Sequence, residues 1–131
     1  MEERRKFQRF PLALNGGYSV GKSKRKDCKI TNISREGTRI IFYSREKIDV
    51  PSDIQLEIDM PLRATPLPAT VTLRWAKEVH EEKKFDLMGG CEFKDITDED
   101  KWSLLDHAYD KWYANKIKAS DRDVKPHPGL D

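Results

Sequence analysis

Cysteine is nearly missing: the 131 residues hold two, Cys28 and Cys91, far apart and outside any C-x-x-C pair. Neither a disulfide framework nor a cysteine-based zinc site is expected, and both read as small buried hydrophobes in strands. Histidine is as scarce, with three residues at 80, 107 and 127 that form no i, i+4 pair, so no metal is expected. No apolar run approaches the roughly 20 residues that a membrane-spanning helix needs, and membrane insertion is not expected. Met1 is followed by Glu2, Glu3, Arg4, Arg5 and Lys6 with no apolar stretch behind them, which argues against a secretory signal and for a cytoplasmic location. An excess of one charge is missing too. The 25 Lys and Arg nearly match the 23 Asp and Glu, leaving a net +2, so bulk electrostatics do not call for a nucleic-acid polymer. The P-loop, G-x-G-x-x-G and G-x-S-x-G signatures are absent, and Ser34 has no histidine close in sequence, so an enzyme is not expected.

What is present reads as one domain with a modest core, at 37% hydrophobic and 37% charged residues. Ile54, Leu56, Ile58 and Met60 alternate with Gln55, Glu57 and Asp59, the period of a strand with one wet face. Ala69, Val71, Leu73 and Trp75 repeat that pattern, and "FDLMGGCEF" (85–93) follows after "HEEKK", which suits an exposed hairpin loop. "CKITNI" and "GTRIIFY" are rich in β-branched and aromatic residues, and Leu12 to Val20 makes a weaker strand interrupted by a turn or bulge at Asn15-Gly16-Gly17. About six short strands with no helical segment between them predict an antiparallel sheet closed into a small barrel.

After Phe93 the period changes. Thr97 reads as an N-cap with Asp98, Glu99 and Asp100 in the first turn, and Trp102, Leu104, Leu105, Ala108, Tyr109, Trp112 and Tyr113 recur at helical spacing. This aromatic stripe is expected against the barrel, or at the interface of a homodimer. The expected organisation is an N-terminal arm over 1–11, a barrel over 12–95, a helix over 97–117 and a disordered, polar tail over 118–131.

Two polar segments remain. "RRKFQRF" carries Arg5 and Arg9 with Phe7 and Phe10 between and after them, and guanidinium groups suit both bidentate phosphate contacts and stacking on a nucleobase. "NISREG" offers the carboxamide of Asn32, the hydroxyl of Ser34 and the freedom of Gly37 for a tight turn or a close ligand approach. Taken singly, they are a basic arm and a strand connection.

In this order and spacing, at the junction of two strands of a small barrel, the two segments resemble the PilZ domain family. Its signature is R-x-x-x-R followed by (D/N)-x-S-x-x-G, filled here by Arg5, Arg9, Asn32, Ser34 and Gly37, and the likeness runs from about Glu3 to Tyr113. The resemblance implies an all-β fold with a C-terminal helix, the six-stranded antiparallel PilZ-type β-barrel. It also implies a receptor for cyclic di-GMP, with that nucleotide as ligand rather than cofactor. Arg5 and Arg9 would then hold phosphate and guanine, Asn32 and Ser34 would meet a guanine edge and the ligand backbone, and Gly37 would keep the loop tight. Gly90 would give the guanine room or mark a bulge, and Arg4, an extra arginine, could favour a stacked pair of ligand molecules. An unknown downstream protein would read the ordered arm. The alternatives are a ligand-independent adaptor of the same fold and a small barrel that binds nucleic acid.

Overall fold

Alternating β-branched and polar residues build six strands, and the first and last of them in space meet. A computed structural model of the chain describes residues 8–43, 47–81 and 84–124. The strands are β1 (Phe10–Val20), β2 (Lys26–Ile33), β3 (Gly37–Phe42), β4 (Ser52–Ile58), β5 (Leu67–Glu81) and β6 (Lys84–Asp95), followed by the helix α1 (Asp98–Val124). All pairings are antiparallel, in the closed order β1-β2-β3-β6-β5-β4, with β1 paired to both β2 and β4. Closure gives every strand a partner on both sides over part of its length, which shortens the free edges that template edge-to-edge aggregation.

Ile54, Leu56 and Ile58 of β4 face inward with Val71 and Leu73 of β5, Ile30 of β2 and Ile40 and Phe42 of β3, all fully buried. Tyr18 meets Phe42 edge to face at 4.8 Å between ring centroids. Cys28 and Cys91 are both buried and unpaired.

Several expectations change. Asn15-Gly16-Gly17 is no interruption: β1 runs through it, with Gly16 paired to Cys28 on one side and Ile58 on the other. A Cβ on Gly16 would collide with the Glu57 carbonyl, so glycine there admits β4 at close range, while one on Gly17 would meet the Arg25 side chain. The bulge falls instead between Pro11 and Leu14, where proline withholds an N–H from the ladder. The barrel therefore starts at Phe10, two residues into the expected arm. In "HEEKK", His80 and Glu81 belong to β5 and Lys84 to β6, so the connection is tighter than expected. Trp75 leaves the core face of β5, because a bulge between Leu73 and Trp75 shifts the alternation by one residue and turns the indole outward.

Thr97 caps α1: its Oγ1 accepts from the Asp100 N–H at 3.1 Å and its carbonyl from the Lys101 N–H at 2.9 Å. Arg63, in the β4–β5 connection, donates to Asp100 Oδ1 at 3.1 Å and ties that connection to the first turn of α1. The expected aromatic stripe is not what the helix buries. Leu104, Leu105 and Ala108 face the barrel, while Trp102 is 50% exposed and Tyr109 and Tyr113 are about as exposed. Successive residues turn by about 100°, so a narrow aliphatic strip seats the helix close to the barrel and the wide rings flank it. Phe10 bridges the two, its ring edge-on to Tyr109 at 5.8 Å and to Trp112 at 5.7 Å. The chain's three tryptophans thus sit at or near the surface, none in the barrel interior.

The helix runs to Val124, past the expected end at 117 and into the segment expected as disordered tail. Lys118, Ala119 and Arg122 are good helix formers and the first proline is Pro126, so low apolar content does not break the helix. Residues 125–131 lie outside the described residues. No described helix is long and apolar enough to cross a membrane.

Candidate functional site

Asn32 stands near the end of β2, where a bulge between Ile30 and Asn32 re-aims the strand. Its carboxamide oxygen accepts from the Arg39 backbone N–H at 3.0 Å and from Arg9 Nη1 at 3.2 Å. Its own carbonyl accepts from Thr38 Oγ1 at 2.6 Å. The side chain is therefore held by β3 on one side and receives the first residue before β1 on the other.

Ser34 serves the turn. It is 2% exposed, and its Oγ accepts from the Glu36 N–H at 3.2 Å and the Gly37 N–H at 3.3 Å. The Ser34 N–H donates to the Gly37 carbonyl at 2.8 Å, which closes the turn between β2 and β3. The hydroxyl expected on a ligand is thus committed to the loop. Gly37 does not take a left-handed backbone; among described glycines only Gly21 has positive φ. A Cβ on Gly37 would overlap the Cys91 carbonyl, so the residue is glycine because β3 and β6 approach there. The Glu36 carbonyl accepts from the Phe93 N–H at 2.9 Å and pins the loop to β6. Arg35, at a variable position of the motif, lies with its guanidinium carbon 5.4 Å from the Trp102 ring centre, which joins the loop to α1.

Beside Arg9 lies a shallow cavity of about 130 Å³ whose walls include Gly37, Trp75, Gly90 and Glu92. Gly90 sits opposite the β5 bulge, and the space its side chain would fill holds the Trp75 indole. Arg74 Nη2 donates to Glu92 Oε1 at 2.6 Å across the same wall. Trp75, 43% exposed, is the residue of this site that period-two reading assigns to the core. The signal that could have found it is a large aromatic on the strand before one that carries a Gly-Gly pair, since a ring on the neighbouring strand commonly covers a strand glycine. Arg4, Arg5 and Phe7 lie outside the described residues, so of the predicted set the structure brings together Arg9, Asn32, Ser34, Gly37 and Gly90. Among the described residues no cluster of His, Cys, Asp or Glu could hold a metal ion.

A family model described as PilZ domain matches residues 3–110. The chain belongs to the PilZ domain family. Among solved structures, the PilZ domain of YcgR from Escherichia coli with c-di-GMP is 11% identical, with TM-score 0.70, and the match covers 91% of this chain and 98% of that one. Bacillus subtilis MotI is 16% identical, with TM-score 0.65 and 84% and 51% coverage. The K. pneumonia MrkH–c-di-GMP complex is 16% identical, with TM-score 0.67 and 90% and 56% coverage. The chain thus spans about half the length of MotI and MrkH. No curated protein matches it in sequence. At these identities the likeness is one of fold, the PilZ barrel with its C-terminal helix. Of the two PilZ motifs, the second is described in full and the first from its closing arginine.

Proposed function

We propose that the chain is a cyclic di-GMP receptor whose N-terminal arginine arm orders on the ligand and presents a changed surface to a partner protein. The observation that carries this reading is the Arg9–Asn32 contact at 3.2 Å, which unites the two PilZ motifs at the mouth of the Trp75–Gly90 cavity. A cyclic dinucleotide offers two phosphates and two guanines. Arg9 supplies a planar cation for either, and the half-exposed Trp75 supplies a flat face for a base. Asn32 keeps an amide N–H₂ for a guanine edge while its oxygen stays with Arg39 and Arg9.

The cavity is smaller than the roughly 300–1,000 Å³ common for ligand pockets, so the ligand lies across it and the arm carrying Arg4 and Arg5 completes the enclosure. Ser34 and Gly37 act by shaping the loop. Ordering the arm costs conformational entropy that the phosphate contacts offset. A second reading, an adaptor working through protein contacts without ligand, draws support from the exposed aromatics Trp102, Tyr109 and Tyr113 on α1.

Calorimetric titration with cyclic di-GMP, GTP and a short single-stranded oligonucleotide separates these readings. Binding of cyclic di-GMP alone, lost by about a hundredfold in Arg5→Ala and Arg9→Ala, supports the receptor; loss of a charge-assisted pair is worth roughly that much. Failure of the native chain to bind cyclic di-GMP leaves the adaptor, and oligonucleotide binding leaves a nucleic-acid barrel. Stoichiometry in the native chain and in Arg4→Ala tests whether Arg4 recruits a second ligand molecule.

A further inference from the structure

β1 is flanked unevenly. It pairs with β4 only from Gly16 to Val20, so one edge along Pro11–Leu14 has no strand beside it among the described residues. The bulge lies in this same stretch, and α1 passes alongside it. Between strand edge and helix runs an open groove of about 900 Å³, several times larger than the cavity at the motif. Leu12, Pro61 and Trp112 give it an apolar floor, and His107, Lys111 and Lys116 stand along its helical side. Neither Lys111 nor Lys116 has a carboxylate partner among the described residues. Lys116 Nζ lies 4.9 Å from the Trp112 ring centre, which holds the ammonium over the groove.

We propose that this groove docks an extended acidic segment of another protein. Its alternate apolar side chains enter the Leu12–Trp112 floor, its carboxylates meet Lys111 and Lys116, and its backbone lies along the unpaired edge of β1. The charge of the rim selects an acidic partner. The concave, apolar floor fits a peptide better than a flat anionic surface. A nucleic-acid strand would need a run of aromatic faces for successive bases, and the groove offers a single tryptophan. None of these residues belongs to the cyclic di-GMP site proposed above, so the two proposals stand or fail separately.

The test uses the full chain, ¹⁵N-labelled, and a capped peptide alternating Asp with Leu. Amide shifts are expected to concentrate at residues 11–14 and 107–116. The double variant Lys111→Glu/Lys116→Glu, both surface positions, is expected to bind the peptide about tenfold more weakly and to prefer a Lys–Leu counterpart. Equal shifts with the Lys–Leu peptide in the native chain, or shifts elsewhere on the barrel, overturn the proposal. Broadening at the same amides on concentrating the chain alone would assign the groove to a second copy. Capture by phosphatidylglycerol vesicles, abolished by the double variant while the peptide has no effect, would assign it to a membrane surface.

Discussion

The three residues of the second motif work by three different means. Asn32 presents polar atoms, Ser34 braces the turn from inside, and Gly37 lets β6 come near. Because the obstacle at Gly37 is the Cys91 backbone rather than a flexible side chain, Gly37→Ala is expected to destabilise by about 1–3 kcal/mol in urea titration and to weaken cyclic di-GMP binding in proportion to the loop's shift. An unchanged urea midpoint would show that β3 and β6 separate at no cost. The cysteines lend themselves to a pH test. Burial pushes both thiols from an ordinary value of 9.0 up to about 12. Above pH 9 the unfolded chain releases thiol protons that the folded chain keeps, so the unfolded state gains and stability falls as pH rises toward 12. The slope should approach about 1.4 kcal/mol per pH unit for each thiol, and the Cys28→Ala variant should halve it. Thiol-reagent kinetics should show both groups inert until the barrel opens.

Among elements, how much could be read in advance depended on where a local rule met a tertiary one. β4 was plain in the sequence because one face is core and the other water along its whole length, and Ile54, Leu56 and Ile58 are all buried. α1 announced its start through Thr97, whose cap is formed. Thr97→Ala should therefore cost about 1 kcal/mol in thermal or urea unfolding. The bulges at Leu73/Trp75 and Pro11/Leu14 were not legible, because an extra residue in one strand shows only against its partner, and the partner is distant in sequence. For the same reason Trp75 looked like core. The family was legible through the pairing of "RRKFQR" with "NISREG", but what each polar side chain of the second motif touches was not. A serine hydroxyl has the same letter whether it faces a ligand or its own turn. The far end of α1 misled through composition: polar residues predict an exposed segment, and exposure is compatible with helix.

For the whole molecule, closure of the barrel through β1 places Arg9 immediately before the strand that touches both β2 and β4. A ligand that fixes Arg9 thus acts on the strand that seals the structure. Saturating cyclic di-GMP at about a hundred times its dissociation constant should add about 2.7 kcal/mol to the unfolding free energy. Amide exchange at residues 2–12 should slow with it, and exchange there that is identical with and without ligand would remove the ordered-arm mechanism while leaving binding intact. The placement of the indoles carries one more consequence, for spectroscopy. Trp75 borders the motif cavity, Trp102 meets the motif loop and Trp112 lines the groove beside α1, so the chain's intrinsic emission comes from solvent-touched fluorophores already in the native state. Unfolding should leave its colour almost unchanged, whereas occupation of either surface should dim it, which makes the unlabelled protein a poor reporter of its own folding and a good reporter of what it holds.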